Sequence, residues 1–318
     1  MKIAFTSCMN ISQRSKQPVW QHIAQCQPDY LVLLGDSIYA DVPHPMVDGA
    51  ATAVKDLDEK PLIGHLHSLY KKQLSEAHFS ALIQKVPTFA IWDDHDFLGN
   101  GSRGGDIDPT MLSHVRATRA VFKAYQKALA AQDPSVFPAT AGDPQLQRPD
   151  ETAPGYQPVQ LSDGVHLHLA DGRSHKSAKT LLGSQQRLEI ASNVVANPQA
   201  IHIIASPTVF DGNLLIEGWS HFDSDAQWLR DLAKHSRLLL ISGDIHRNKI
   251  RKHALDPGKT LYEFTASGAA IDVPLRLPHW PTHNFGLLDF QGDGLCVELF
   301  SDLQQTASQK DCLPYSQL

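Results

Sequence analysis

Acidic and histidine side chains are crowded in the segment AIWDDHDFLGN, residues 90 to 100. Asp93, Asp94 and Asp96, together with His95, follow directly after a short apolar run. Ionised carboxylates a few ångströms apart repel each other, and burial at a strand end raises the cost of ionising them. We therefore expect a positive charge among them, supplied by a lysine or arginine, by shared protons, or by a bound metal ion.

Three other predicted strand ends carry side chains of the same kind. Ligands bind outside the carboxyl ends of strands in open α/β sheets, so all four loops are expected to meet along one rim. Carboxylate, imidazole, thiolate and phenolate groups are metal ligands, and six or more on one rim are the composition of a two-metal site. The three further loops are Ser7-Cys8 after residues 2–6, Gly35-Asp36-Ser37-Ile38-Tyr39 after 30–34, and Gly243-Asp244-Ile245-His246 after 238–242.

The elements that position these loops alternate along the chain. Short apolar runs predict strands, and helical periodicity between them predicts sheets that are rich in parallel strands and covered by helices. The last three predicted strands follow without long helices, which suggests antiparallel strands completing a second sheet. The predicted strands are 2–6, 30–34, 88–92, 165–170, 200–205, 238–242, 261–266, 285–290 and 295–301, and the predicted helices are 19–26, 62–82, 112–131, 184–197 and 223–235.

One domain is predicted for the whole chain, residues 1–318, because it contains neither an internal repeat nor a sharp linker. Residues 133–158 are dense in Pro, Gly, Ala and Asp and follow neither the helix nor the strand period. This composition predicts an irregular surface loop or lid. We place it within an insertion around residues 97–158.

Composition excludes several classes of partner and compartment. The net charge of −6 without a basic stripe argues against binding a nucleic-acid backbone. The four cysteines are scattered and form no CxxC pair, which argues against a disulfide framework and a zinc ribbon and fits a reducing compartment. No window approaches 18 apolar residues and the first residues do not resemble a signal peptide, so no membrane association and a cytoplasmic location are predicted. The oligomeric state is left open.

Four histidines are interpreted as unrelated to the site. His65 and His67 lie on a predicted helix. His166 and His168 alternate on a predicted strand, where they are expected to share its solvent-facing side.

Four segments together resemble one family. They are Ser7-Cys8, LLGDSIYAD (33–41), VPTFAIWDDHDFLGN (86–100) and ISGDIHRNK (241–249), with weaker matches in LADGRSHKS (169–177), TLLGSQQRLEI (180–190) and FTASGAA (264–270). In order and spacing they resemble the alkaline phosphatase D-like branch of the calcineurin-like metallophosphoesterases along nearly the whole chain. The resemblance implies a four-layer αββα sandwich of two mixed sheets flanked by helices. It also implies hydrolysis of small-molecule phosphate monoesters, diesters or both by metal-activated water at a dinuclear or larger metal centre.

The resemblance assigns roles to individual residues. Asp36 would bridge two ions, an iron ion and a second ion that is calcium or another divalent metal. Asp93 and Asp94 are adjacent alternatives for one ligand, and the motif favours Asp94. His95 would protonate the leaving group or steady the transition state, while Arg173 and Asn100 would bind phosphate oxygens. The implied ligands of the iron are Cys8, Asp36, Tyr39 and His246, and those of the second ion are Asp36, Asp94 and Asp244.

Two other functions are weighed against this interpretation. Gly35-Asp36-Ser37-Ile38 resembles the block of GDSL-type serine esterases, in which Ser37 would be the nucleophile. That class needs a C-terminal Asp-x-x-His, which the last hundred residues do not contain, and its block follows the first strand rather than the second. A non-catalytic metal-binding module is the third possibility, and the presence of His95 and Arg173 argues against it.

Overall fold

Two six-stranded sheets form the centre of the molecule in the computed structural model, which describes residues 1–41, 54–147, 155–213, 216–255, 258–272 and 282–318. In spatial order the first sheet contains β12 (Gln309–Pro314), β11 (Gly294–Phe300), β10 (Phe285–Gln291), β1 (Lys2–Thr6), β2 (Tyr30–Leu34) and β3 (Thr88–Ile91). The second sheet contains β4 (Gln157–Ser162), β5 (Val165–Leu169), β6 (Ile201–Ser206), β7 (Arg237–Ser242), β9 (Lys259–Thr265) and β8 (Lys249–Leu255).

Helices cover the outer faces of both sheets. The described helices are α1 (Val19–Gln25), α2 (Glu59–Leu74), α3 (Ala77–Ile83), α4 (Asp94–Phe97), α5 (Leu112–Ala130), α6 (Pro144–Gln147), α7 (Ser184–Ala196) and α8 (Asp223–Lys234). Buried side chains of α1, α2, α3 and α5 pack on the first sheet, and those of α7 and α8 pack on the second. No helix among the described residues has the length and apolar character that a membrane crossing requires.

Strand β1 shows why the layers stack in this order. Ile3 and Phe5 point into the core between the two sheets, whereas Ala4 points into the core under the first helical layer. Successive side chains of a strand face opposite sides, so an apolar residue at every position buries both faces. The predicted αββα sandwich of two mixed sheets is confirmed.

The sheet assignment of the C-terminal strands was wrong in part. Strand β10 is antiparallel to β1 and β11 pairs with β10, so both extend the first sheet. Strand β9 joins the second sheet, but it is parallel to β7. Without β10, one edge of β1 would lack main-chain partners, and the apolar pattern does not reveal which strand supplies them.

The predicted helix 62–82 is two helices, α2 and α3. Glu76 separates them, because its side chain accepts a hydrogen bond from Phe79 N at 2.8 Å and caps α3. Helix α5 lies inside the predicted insertion 97–158, and residues 148–154 of that insertion lie outside the described residues.

Cys296 and Cys312 form a disulfide bond, in disagreement with the reducing environment expected from the cysteine spacing. The two residues lie directly opposite each other in the β11–β12 ladder, with their Cα atoms 4.1 Å apart. Their separation of 16 in sequence concealed this proximity, because only the hairpin brings them together. Cys8 and Cys26 are free thiols.

The predicted solvent exposure of His166 and His168 was also wrong. Both are buried, because the outer face of the second sheet lies beneath the layer of α7 and α8. His168 Nε2 lies 2.9 Å from His202 Nδ1, and Tyr156 Oη lies 2.7 Å from His168 Nδ1. Burial lowers the pKa of His168 to about 3, so this histidine is neutral and structural.

Candidate metal centre

The four loops expected to converge do meet at one edge of the two sheets. The loop after β1 is joined to the loop after β2 by the hydrogen bond from Cys8 N to Gly35 O, 3.2 Å long. Cys8 Sγ lies 3.3 Å from Asp36 Oδ2 and 3.8 Å from Asp244 O, which follows β7. The rim predicted from the strand ends is therefore present.

Asp36 lies at the centre of this rim. Three groups of side chains have candidate ligand atoms within 4.8 Å of one another, and Asp36 belongs to every one of them. A carboxylate shared in this way has the position of a bridging ligand between neighbouring cations. The groups are Cys8, Asp36 and His246; Asp36, Asp94 and His95; and Asp36, Asp93 and Asp244.

Four residues of the rim have a backbone conformation that L-amino acids rarely adopt. The φ angles are 61° at Cys8, 52° at Asp36, 70° at Asp244 and 52° at His246. The left-handed region is costly for residues other than glycine, and such residues concentrate at functional sites. All four of these residues belong to the ligand groups that contain Asp36.

Gly35 allows two of the loops to approach each other. Its φ is +98°, and a Cβ atom at this position would lie 2.5 Å from Asp93 Cβ. No real Cβ contact is that short, so a larger residue would force Asp36 and Asp93 apart.

The first half of the centre contains a thiol, a phenol and an imidazole. Tyr39 Oη donates to Asp36 Oδ2 at 3.1 Å and lies 3.2 Å from His246 Nε2. Burial, reinforced by the negative charge of Asp36, raises the pKa of Cys8 and of Tyr39. A cation reverses this effect, because it stabilises thiolate and phenolate. Burial and the charge of His95 lower the pKa of His246 to about 4, which keeps the imidazole in the neutral form that binds metals.

The second half of the centre is a set of buried carboxylates, of which Asp93 and Asp94 lie beside Arg173. Burial raises the pKa of Asp36 to about 8, with the charge of His95 opposing and that of Asp94 reinforcing the shift. Burial and the charge of Asp94 raise the pKa of Asp244 to about 7. Within the described residues, Asp36 Oδ1 and Asp93 Oδ2 are buried without a hydrogen-bond partner. Buried charged oxygens are paired or bind metals, so this donor set fits hard cations.

Asp93 and Asp94 differ in what their oxygens contact. Asp93 Oδ1 accepts from Arg173 Nε at 2.5 Å, and Asp93 groups with Asp36 and Asp244. The Asp94 oxygens accept from His95 N at 2.9 Å and Gly101 N at 2.8 Å. Burial acts to raise the pKa of Asp94, but the charges of Arg173 and His95 outweigh it and the net shift is downward. Both carboxylates border Asp36, and Asp93 is the one with an unpartnered oxygen.

His95 is fixed in place by two neighbours. Its Nδ1 lies 2.5 Å from Asp41 Oδ1, and its ring stacks on Tyr39 with centroids 4.2 Å apart. Burial acts to lower the pKa of His95, but Asp36, the hydrogen bond with Asp41 and Asp94 together raise it to about 10. A cation bound beside Asp36 would offset the negative charges of Asp36 and Asp94 that raise the pKa of His95, while the hydrogen bond with Asp41 would remain. Asp41, the last residue of the segment LLGDSIYAD, was missed as a functional candidate.

The two predicted phosphate-binding residues lie at different depths. Arg173 is buried, and its guanidinium contacts Asp93, Ser102 O and Glu217. Asn100 is exposed at the rim, where its backbone N–H donates to Asp41 Oδ2 at 2.8 Å.

Ser37 does not have the surroundings of an esterase nucleophile. Its side chain is fully buried, and among the described residues no histidine forms a hydrogen bond with its Oγ. A serine nucleophile needs an adjacent base, so the geometry gives no support to the esterase alternative.

The chain is similar in structure to proteins of known fold. A structure of PhoD aligns over 99% of this chain and 68% of that chain, with a TM-score of 0.66 and 15% identity. A dimetal phosphatase from Danio rerio aligns over 99% of both chains, with a TM-score of 0.53 and 12% identity. These likenesses establish a shared fold. No curated protein sequence matches the chain significantly.

The family follows from the sequence itself. The profile of the PhoD-like phosphatases matches residues 3–271, which include every loop of the rim. The expected family resemblance is thereby confirmed, as is the expected activity, because fold, donor set and family agree. The chain belongs to the PhoD-like phosphatase family and is a metal-dependent phosphoester hydrolase.

Proposed function

We propose that this protein hydrolyses small-molecule phosphate esters at a centre of two or more metal ions built around Asp36. The observation that carries the proposal is that Asp36 is common to three ligand groups and keeps a buried oxygen without a partner in the described structure. Metal analysis of the purified protein, combined with hydrolysis of aryl phosphate monoesters and diesters, tests it and decides which esters are cleaved.

Two kinds of cation suit the two halves of the centre. Thiolate, phenolate and imidazole favour iron at Cys8, Tyr39, His246 and Asp36. Hard carboxylate oxygens favour calcium or another divalent ion at Asp36, Asp244 and the Asp93–Asp94 pair. When bound, such ions lower the pKa of a water molecule and hold phosphoryl oxygens for in-line displacement.

His95 is the proton donor in this proposal. Asp41 engages Nδ1, which leaves Nε2 as the nitrogen that would donate a proton to the leaving oxygen of the ester. The stacked Tyr39 ring limits rotation of the imidazole. Asn100 is exposed at the rim, which supports its proposed role in binding the substrate. Arg173 is buried among protein acceptors, which favours a supporting role over the direct substrate contact that the family resemblance implies.

The location of the protein is a separate proposal. The cytoplasmic location stays a prediction, and the Cys296–Cys312 disulfide counts against it, because cytosolic thiols are kept reduced. Alkylation of free thiols in protein taken directly from its native cells, followed by mass spectrometry, would show whether Cys296 and Cys312 are oxidised or reduced.

Binding to a nucleic-acid backbone is not expected, because the net charge of the protein is −6.

Tyr39→Phe is expected to bleach or strongly shift a visible absorption band of the iron-loaded protein. A phenolate bound to ferric iron donates charge to it and absorbs visible light, whereas a free phenol absorbs only in the ultraviolet. The variant keeps the ring that stacks on His95, so the fold should persist while iron content falls. Cys8→Ser should change the band differently, since a hard oxygen replaces a soft sulfur. Identical spectra and iron contents of wild type and Tyr39→Phe would remove Tyr39 from the ligands.

Ser37→Ala is expected to retain most of the turnover. The serine is a buried loop residue in this account, and its hydroxyl contacts no base in the described structure. Steady-state kinetics with an aryl phosphate, alongside treatment with a serine-directed covalent inhibitor, check the expectation. A loss of about a thousandfold or more with full metal content would instead support the esterase.

A further inference from the structure

Arg173 is enclosed by protein acceptors. Its Nε donates to Asp93 Oδ1 at 2.5 Å, and Nη2 contacts the same oxygen. Its Nη1 lies 3.2 Å from both Ser102 O and Glu217 Oε2. Each nitrogen of this planar fork already has a partner, and the side chain is 2% exposed. In this arrangement the guanidinium acts on the protein rather than on a substrate.

The contact with Arg173 determines how Asp93 is oriented. Asp93 Oδ1 is taken by the guanidinium, while Oδ2 is buried with no hydrogen-bond partner among the described residues. Asp93 forms one ligand group with Asp36 and Asp244. A carboxylate held by one oxygen presents the other in a fixed direction, and in Asp93 the oxygen left for a divalent ion is the buried, unpartnered Oδ2.

Glu217 and Lys176 complete a chain of charges behind Arg173. Lys176 Nζ is fully buried and contacts Glu217 Oε2, the oxygen that also lies beside Arg173 Nη1. One carboxylate oxygen thus separates two buried cations. Without its charge, the lysine and the guanidinium would repel each other at close range in a buried site, and Arg173 could not keep its present position.

We propose that Glu217 and Lys176 are positioning residues of the metal centre. Together they fix Arg173 on Asp93 Oδ1, and Arg173 thereby directs Asp93 Oδ2 toward the cation shared with Asp36. The inference rests on the proposed function, because it assumes that a cation occupies this group.

The test is metal retention in the purified holoenzyme. Glu217→Gln keeps the shape of the side chain and removes its charge. On dialysis against increasing EDTA, it should release its divalent ion at about 10- to 100-fold lower chelator concentration than wild type, the usual cost of losing an outer-shell partner. The turnover number should fall more than KM changes, and the visible band of the iron half should persist. Asp211→Asn is the matched control, because that residue lies on the same loop with a 54% exposed side chain.

Lys176→Met separates positioning from a general loss of stability. Lys176 acts through Glu217 in this account. The double variant that combines Lys176→Met with Glu217→Gln should therefore release metal no more readily than Glu217→Gln alone. Thermal unfolding identifies variants that fail to fold. If Glu217→Gln does not fold, Glu217→Asp, which keeps the charge on a shorter side chain, replaces it in the test.

Unchanged metal retention in the Glu217 variants would overturn the positioning role. If inorganic phosphate also inhibited those variants more tightly than wild type, Arg173 would instead be a substrate-binding residue covered by Glu217. In either case the proposed function stands as long as Asp36→Asn loses its metals, and it fails on its own if Asp36→Asn retains them.

Discussion

Asp36→Asn should lower phosphatase turnover by about a thousandfold or more and should lower the content of both metals. The amide keeps the shape of the side chain but loses the negative charge and one of the two acceptor oxygens of the residue common to all three ligand groups. Metal ions contribute several kcal/mol to such reactions, and each 1.36 kcal/mol corresponds to about tenfold in rate. Turnover of an aryl phosphate and elemental analysis of the same sample measure both effects.

A second buried carboxylate provides the control for this prediction. Asp225 is fully buried, and its oxygens accept from Thr180 Oγ1 and Leu182 N away from the rim. Asp225→Asn should therefore keep its metals even if it lowers the unfolding temperature. If Asp36→Asn retained full metal occupancy and near wild-type turnover, the bridging role of Asp36 would be refuted.

Replacement of His95 by Gln should slow esters with poor leaving groups far more than activated esters. A positioned proton donor contributes about 10²- to 10⁴-fold when the leaving alkoxide needs a proton, whereas a nitrophenolate departs without one. Alkyl and nitrophenyl phosphates compared on the same preparation measure the difference. Metal content should stay unchanged.

Asp41→Asn provides an independent check of the same role. The variant keeps a group beside His95 Nδ1 but removes the charge that favours the imidazolium, so it should show the same leaving-group pattern with a smaller loss. Equal losses of His95→Gln on all esters would instead assign His95 to charge stabilisation or to structure.

Much of the sandwich could be predicted from local patterns. Apolar runs gave the bounds of β1 and β2 as the structure has them, since strands buried on both faces carry an uninterrupted signal. The edge strands β4, β8 and β12 were missed. Most of their residues are exposed or half-buried, so tertiary pairing rather than apolar content makes them strands.

The candidate metal ligands that follow the strands were easier to predict than the side chains that hold those ligands in place. Cys8, Asp36 and Asp244 are each the second residue after the end of a strand, so their convergence is a consequence of topology. Glu217 and Lys176 lie in loops with no pattern of their own, and only the folded chain brings them to Arg173. Asp41 ends the segment LLGDSIYAD, but its partner His95 is 54 residues away in sequence, so the motif alone does not show their contact.

The most direct measurement is a metal titration of turnover on the wild-type protein. The purified chain is stripped with a chelator, its metals are counted by elemental analysis, and hydrolysis of aryl phosphate monoesters and diesters is followed as iron and then calcium are restored. The account predicts that hydrolysis disappears with the metals and returns only when two or more ions per chain are bound. Undiminished hydrolysis by folded, metal-free protein would contradict it.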